Sequence, residues 1–266
     1  MRLLRVGRIS ALNMYPIYHG LELAEDPTLR FTDGVPTALN AALMEGRLDV
    51  SAVSSIAFAR NAERLHLVPV ASITADGAVD SIQVFSRVPF DEVRTVAVTP
   101  HSATSVALLR ILLDDRVAPF SVLDRPPAQA LEEVDGVLLI GDEALAGLRE
   151  PFAAHRTDLG VRWRERTGRP MVFAVWAASE QAARDRPEAL AELAALLTRA
   201  RSAYLADPEA VVRAAAARFP FPADFIRPYL RRLRYDFGSD ERAGLEAFLR
   251  LARENGQLDA VPKLAA

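Results

Sequence analysis

Short apolar segments that end in polar clusters alternate with segments of helical apolar spacing over the first two thirds of the chain. This alternation is typical of strands followed by turns and helices. The predicted strands are Leu3–Ile9, Leu48–Val53, Arg94–Val98, Gly136–Ile140 and Met171–Ala177. Helices are predicted over Pro36–Glu45 and Val106–Leu113, and from Glu143 onward. The order predicts an α/β fold with parallel sheets.

The last third of the chain has a different pattern, which predicts helices only. Pro187 begins a long helix, Asp207-Pro208 begins another, and Ser239 can cap a further one. Apolar residues follow one face of each helix and charges occupy the others, as in helices that cover a sheet. We therefore assign no chemistry to this region.

Composition excludes several classes of function. The 32 basic and 35 acidic residues give a net charge of −3, without a basic block, so we expect no nucleic-acid partner. Cysteine is absent, which excludes disulfides and thiolate chemistry. The four histidines have no metal-ligand spacing and no dinucleotide-binding motif is present. We expect neither a metal nor a cofactor.

Two features bear on location and assembly. Arg5 and Arg8 interrupt the first apolar segment too early for a secretory signal. The longest other apolar stretch, Met171–Ala178, is much shorter than the roughly 20 residues that a membrane-spanning helix needs. We therefore expect a cytoplasmic protein without a membrane partner. The apolar helices of the last third leave a homodimer open.

Polar clusters follow four of the predicted strands: Ser10–Asn13, Ser54-Ser55, Thr99–Ser105 and Gly141-Asp142. Ligands of open parallel sheets bind beyond the carboxyl ends of strands. In the third cluster Ser102, Thr104 and Ser105 precede an apolar helix, where free backbone amides and hydroxyls can hold an anion. Without the glycines and lysine of a phosphate-binding loop, a carboxylate is favoured.

Each of these residues also has a purely structural interpretation. Ser102, Thr104 and Ser105 can simply cap the helix. Asn13 can be a turn asparagine that bonds its own backbone. Ser81 either faces a cleft or ends a loop. The sequence alone leaves these alternatives open.

Several segments, in order, resemble the MqnA family, the chorismate dehydratases of menaquinone biosynthesis. The resemblance covers roughly residues 3–177. His101 lies at a position for which the family gives no firm expectation. The segments that carry the resemblance are Ile9–Asn13, Gly34–Pro36 with Leu39-Asn40, Gly46–Val50, Ser54-Ser55, Val79–Ser86, Val98-Thr99 with Ser102 and Thr104-Ser105, Leu138–Leu145, Asp158–Gly160, Trp163, Thr167-Gly168 with Pro170, and Val172–Trp176.

The resemblance implies a two-lobed fold like that of the type II periplasmic binding proteins, with the ligand in a cleft between the lobes. Lobe 1 would comprise residues 1–84 plus 177–266, including the C-terminal helices, and the inserted lobe 2 would comprise residues 85–176. The two crossings between the lobes would lie near Ser81–Ser86 and Phe173–Trp176.

The resemblance also implies an activity, the conversion of chorismate to 3-[(1-carboxyvinyl)oxy]benzoate and water. Asn13 and Ser81 are then the candidates for the reacting centre. Hydroxyls at the start of the helix after residue 102 would hold one substrate carboxylate, and the first lobe would hold the other. The candidate substrate-binding residues are Ser54, Ser55, Ser102, Thr104, Ser105, Gly141 and Asp142.

The roles within this set differ. Asp142 either caps the following helix or assists the leaving hydroxyl. Asn13 is neutral and unsuited to act as a strong base, so the side-chain carboxylate of the substrate is our candidate for the proton acceptor. Two other functions stay open: a non-catalytic protein that binds an aromatic carboxylate, and a dehydratase of the prephenate or arogenate type.

Overall fold

The structure is a computed structural model that describes residues 3–114 and 117–264. Its strands are β1 Leu4–Ile9, β2 Leu29–Gly34, β3 Val50–Ser54, β4 Leu65–Ala75, β5 Ile82–Ser86, β6 Val96–Val98, β7 Ser121–Val122, β8 Gly136–Ile140, β9 His155–Asp158, β10 Met171–Ser179 and β11 Leu233–Arg234. The predicted strands all lie within or beside observed ones. Sequence analysis missed the edge strands, which are short or mostly polar, and it also missed the long interior strand β4.

The predicted helices all correspond to observed ones, including the helical last third. The observed helices are α1 Tyr15–Leu23, α2 Pro36–Met44, α3 Ser55–Arg60, α4 Ala103–Leu113, α5 Pro127–Ala130, α6 Gly141–Arg149, α7 Leu159–Thr167, α8 Glu180–Asp185, α9 Pro187–Ala206, α10 Pro208–Arg218, α11 Ala223–Arg232 and α12 Ser239–Glu254. Of these, α1, α3, α5, α7, α8 and α11 were not predicted. Single 3₁₀ turns occur at Leu12–Met14 and Phe90–Glu92. Within the described ranges, no helix combines the length and apolar composition that a membrane crossing needs.

The strands form two sheets, one in each lobe. The first has the order β11-β4-β10-β3-β1-β2 and the second the order β7-β6-β8-β5-β9. Both sheets are mixed, which corrects the expectation of parallel sheets. β10 runs antiparallel to β3 and β4, and β5 runs antiparallel to β8 and β9. A strand that returns from the other lobe enters at the cleft edge, so it runs opposite to strands that end there.

The chain passes between the sheets twice. Ile82–Ser86 pairs along its whole length within the second sheet, and Met171–Ser179 pairs within the first from end to end except at the irregularity at Phe173. The expected boundaries at 84/85 and 176/177 therefore fall inside strands, and the sheet pairing moves them to residues 76–81 and 168–170. Sequence spacing could not locate them, because these strands have the same apolar pattern on both sides of each boundary.

One continuous core joins the lobes, since β10 and the helices α4, α7 and α12 pack against each other across the boundary. Trp163 of α7 and Trp176 of β10 are among the largest fully buried side chains. A smaller core around Phe85 and Leu139 lies on the other face of the second sheet. The shared core fixes the lobes around the edge where β1 and β3 end.

Candidate active site

Two hydrogen bonds join the lobes at the cleft. The amide of Leu12 donates to Oδ1 of Asp142 at 3.1 Å, and the amide of Ile56 donates to Oγ1 of Thr104 at 3.1 Å. In each pair the amide belongs to the first lobe and the acceptor to the second. The lobes are therefore closed on each other at the positions where the sequence predicts the site.

The first set of contacts forms what we call the Asp142 cluster: Leu12, Asn13, Ser81, Gly141 and Asp142. The amide of Gly141 donates to the carbonyl of Ser81 at 2.7 Å, beside the bond between Leu12 and Asp142. Gly141 has φ +57°, a left-handed conformation that glycine adopts without strain. Ser81 and Leu12, the neighbour of Asn13, thus bond to two consecutive residues of the second lobe, Gly141 and Asp142.

Asn13 lies in the 3₁₀ turn that follows β1. Its side chain is half-buried, and its Oδ1 is buried with no hydrogen-bond partner among the described residues. The turn interpretation required this oxygen to bond its own backbone, which it does not do. A buried polar atom is normally paired, so the unpartnered Oδ1 is a candidate acceptor for a ligand group in the closed cleft.

Ser81 ends the first crossing and is buried. Its Oγ donates to the carbonyl of Val79 over 3.3 Å, a long bond for two oxygen atoms. The preceding residue, Asp80, has φ +55°, which is uncommon for a residue with a side chain. The hydroxyl of Ser81 is therefore held in place by a strained turn and is only weakly committed within the protein.

Asp158 holds this turn. Its Oδ2 accepts from the amide of Asp80 and from Nε2 of Gln83, both at 2.7 Å. Its Oδ1 accepts from the amide of Gly160 at 2.9 Å, which caps α7. A Cβ atom at residue 160 would lie 2.3 Å from the carbonyl oxygen of Gly77, so glycine is required there. One carboxylate thus fixes both a helix start and the segment that carries Ser81.

The carboxyl of Asp142 is half-buried, and burial raises its pKa, although the bond from the Leu12 amide partly opposes the shift. Capping of α6 was one of the two expected roles of Asp142. The side chain does not cap this helix but accepts a hydrogen bond from the amide of Leu12 in the first lobe. Asp142 is therefore a carboxyl in the lobe junction with an increased tendency to hold a proton.

The second set of contacts forms the Thr104 cluster: Ser55, Ile56, Ser102, Thr104 and Ser105. Oγ of Ser55 donates to the carbonyl of Val172 in β10 at 2.6 Å. Ser102 caps α4 by accepting from the amide of Ser105 at 3.2 Å, and the two hydroxyls are 2.8 Å apart. The capping interpretation therefore describes Ser102 and Ser105, while Thr104 joins the lobes.

Ser54 differs from its neighbour Ser55. Its Oγ is buried without a hydrogen-bond partner in the described part of the chain. Val6 and Val50 are partners in the parallel pair of β1 and β3, and continuing that register brings Ser10 level with Ser54. The unpartnered hydroxyl thus lies on the same sheet edge as the turn that holds Asn13.

Sequence analysis missed Tyr229, which lies in α11 of the helical last third. The side chain is 1% exposed, and its hydroxyl has no hydrogen bond of standard geometry to a described residue. Ser81 nevertheless lies close enough to lower the pKa of Tyr229 slightly, while burial raises it well above the ordinary value. Its position at helical apolar spacing is that of an ordinary core residue, so no signal in the sequence reveals it.

Two other observations concern ligands. A cavity of about 750 Å³ lies on the second lobe, lined by residues that include His101, Arg125, Glu143 and Phe152, but by none of the predicted site residues. Within residues 3–114 and 117–264, no three His, Asp or Glu side chains are grouped so that they could hold a metal ion.

Comparison with known proteins adds the decisive observation. Residues 4–254 match the model of a protein family described as menaquinone biosynthesis. A chorismate dehydratase of Thermus thermophilus is 34% identical over 252 residues, covering 89% of this chain and 90% of the relative. This chain belongs to the menaquinone biosynthesis family. The match confirms the resemblance seen in the sequence segments.

Solved structures extend the comparison of the family fold. A protein of Archaeoglobus fulgidus superposes with a TM-score of 0.78 at 16% identity, covering 96% of this chain and 98% of that one. The periplasmic aliphatic sulphonate-binding protein of Escherichia coli gives 0.69 at 16% identity, covering 99% and 96%. These likenesses confirm the periplasmic-binding-protein-like fold for this member of the menaquinone biosynthesis family. The roles of the individual site residues stay predictions.

Proposed function

We propose that this protein is a hydro-lyase that dehydrates chorismate to 3-[(1-carboxyvinyl)oxy]benzoate. The observation that carries the proposal is the Asp142 cluster of this member of the menaquinone biosynthesis family. The cluster combines an unpartnered amide oxygen, a weakly bonded hydroxyl and a half-buried carboxyl at the lobe junction. These groups suit a small, oxygen-rich substrate that must lose a proton and a hydroxide inside a closed site.

The reaction removes the proton at C3 of the ring and the hydroxyl at C4, and the ring becomes aromatic. The C3 proton is vinylogous to the ring carboxylate, so its loss spreads negative charge onto that group. Fixed donors aimed at such developing charge each contribute about 3–4 kcal/mol to lowering the barrier. The amides of Ile56 and Ser105 already bond within the Thr104 cluster, so we assign the two substrate carboxylates to the other first-turn amides of α3 and α4.

Proton transfer is balanced within this site. The side-chain carboxylate of the substrate takes the C3 proton and passes it to the departing C4 hydroxyl, which leaves as water while the carboxylate is regenerated. Asp142 assists that departure, because a carboxyl with a raised pKa keeps its proton at a higher pH than an exposed one does. Asn13 and Ser81 orient the enolpyruvyl group and the leaving hydroxyl.

Lobe closure supports the same proposal. The bonds from Leu12 to Asp142 and from Ile56 to Thr104 bring the lobes together around the cluster. A closed cleft excludes water and strengthens every electrostatic contact in it. The reaction needs this, since a carbanion-like intermediate in open water would be protonated again.

The experiment that tests the proposal mixes the purified protein with chorismate and follows the ultraviolet spectrum. We expect an aromatic product with turnover beyond one equivalent, identified as the benzoate by mass. Parallel incubations with prephenate and arogenate should leave both unchanged. A stable complex with unaltered chorismate would instead identify a binding protein, and turnover of prephenate or arogenate would reassign the substrate.

A further inference from the structure

The end of α11 is attached to the crossing that carries Ser81. Nη1 of Arg232 lies 3.1 Å from Oδ1 of Asp80, and Leu233 pairs with Ala75 at the end of β4. Nη2 of Arg234 lies 2.8 Å from Oδ2 of Asp76. These contacts bind the last residue of α11 and the two residues after it to both ends of the crossing, so groups in the last turn of α11 are held in a fixed position beside it.

Tyr229 lies in that turn, two residues before the exposed arginines begin at Arg231, and its hydroxyl is enclosed. The atom is fully buried and has no standard hydrogen bond to any residue in the described ranges. Ser81 lowers the pKa of this hydroxyl, and the nearby carboxyl groups of Asp142, Asp80 and Asp158 raise it, so these are the polar groups that surround it. A buried hydroxyl without a partner is destabilising, so an ordinary core position would favour phenylalanine.

The protonation of this hydroxyl determines the direction of any bond with Ser81. Burial among carboxylates raises the pKa of Tyr229 far above neutral, so the phenol keeps its proton and can donate. Oγ of Ser81 donates a hydrogen bond to the carbonyl of Val79, and its lone pairs can still accept a hydrogen bond from Tyr229. The long bond to Val79 is the one that Ser81 can exchange for a substrate oxygen.

We propose that Tyr229 is a positioning residue of the active site: its hydroxyl donates to Oγ of Ser81 while Ser81 donates to the departing C4 oxygen of the substrate. The inference rests on the proposed function. Consecutive hydrogen bonds polarise one another, so the bond from Tyr229 makes Ser81 a stronger donor. Tyr229 gives up no proton in the net reaction, since the C4 oxygen leaves as water with the protons already accounted for.

The test compares Tyr229→Phe with Tyr235→Phe. Tyr235 is the matched control, because its hydroxyl is also buried without a partner but has the tyrosines 204 and 229, not Ser81, as its electrostatic neighbours. We expect Tyr229→Phe to lower kcat about tenfold with KM changed less than twofold. Neither variant should unfold at a lower temperature than the wild type, and Tyr235→Phe should keep the wild-type kcat.

A double variant separates positioning from a general structural effect. If Tyr229 acts through Ser81, Tyr229→Phe should have no further effect on kcat in a Ser81→Ala background. An equal kcat for Tyr229→Phe and Tyr235→Phe, or a full tenfold loss that persists without the Ser81 hydroxyl, would overturn the inference while leaving the activity in place. A wild type that leaves chorismate unchanged would overturn the proposed function and this inference with it.

Discussion

The Thr104 cluster and the Asp142 cluster contain similar small polar groups at one edge of the same cleft, but they differ in how those groups are satisfied. In the Thr104 cluster every hydroxyl has a partner within the protein. In the Asp142 cluster Oδ1 of Asn13 has none, and Ser81 makes only a long bond. We infer from this difference that the Thr104 cluster fixes the closed lobes, whereas the Asp142 cluster keeps polar groups available for a substrate.

The comparison also explains why the sequence could not distinguish the clusters. Serines before an apolar helix predict free donors whether or not other residues occupy them. Ser55 and Thr104 find their partners in Val172 and Ile56, which are distant along the chain. Availability is therefore a property of tertiary packing, not of the local pattern.

The sharpest test of the difference replaces one residue of each cluster. Asn13→Ala and Ser81→Ala should each lower kcat about 100-fold or more, because each removes a group aimed at the reacting centre, with little change in the unfolding temperature. Ser102→Ala should keep kcat near the wild-type value and lower the free energy of unfolding by about 1 kcal/mol, the usual value of a helix cap. Steady-state kinetics and thermal unfolding measure both.

Near-normal turnover in Asn13→Ala and Ser81→Ala would remove both residues from the site. A loss of turnover in Ser102→Ala as large as theirs would mean that the clusters have the same role. Either result would end the distinction drawn between them.

Much of the architecture could be predicted from the sequence. Apolar periodicity predicted strands and helices such as β8 and α9 nearly to the residue. The order of the segments that resemble the family indicated the family itself. Periodicity describes one element at a time, however. It could not show that β10 returns antiparallel, and it could not place the crossings, because these depend on which sheet each strand joins.

The candidate site could be predicted only in part for the same reason. Asn13, Ser81 and Asp142 were found because they follow strands or lie in segments of the family. Tyr229 was not found, because a tyrosine at the spacing of Ile226 and Leu230 has the pattern of a core residue. Asp158 had a visible capping position before α7, but its bond to the amide of Asp80 depends on the fold.

A second, smaller effect is expected at the bond that joins the lobes through the Thr104 cluster. Thr104→Val keeps the shape of the side chain but leaves the amide of Ile56 without its acceptor, so the free energy of unfolding should fall by about 1–3 kcal/mol. If closure completes the site, kcat/KM should fall about tenfold. Denaturant unfolding and kinetics provide the readouts.

Thr104→Ser is the matched control, since it keeps the acceptor oxygen and should behave nearly as the wild type. A Thr104→Val variant with unchanged kcat/KM would show that this bond stabilises the fold without contributing to closure. The two outcomes distinguish a bond that completes the site from one that only holds the lobes together.

The smallest effect is the pH dependence of stability, which differs in sign between carboxyls inside and outside the junction. Burial raises the pKa of Asp142 above that of the unfolded chain, so its contribution to stability is complete at acid pH and is lost as the pH rises through the folded pKa. The bond from the Thr28 hydroxyl lowers the pKa of Asp26, whose contribution to stability is lost as the pH falls.

From pH 7 to pH 4, the wild type should therefore gain stability relative to Asp142→Asn and lose it relative to Asp26→Asn. Denaturant unfolding across this range measures both differences; equal slopes for the two variants would contradict a raised pKa of Asp142 in the closed junction.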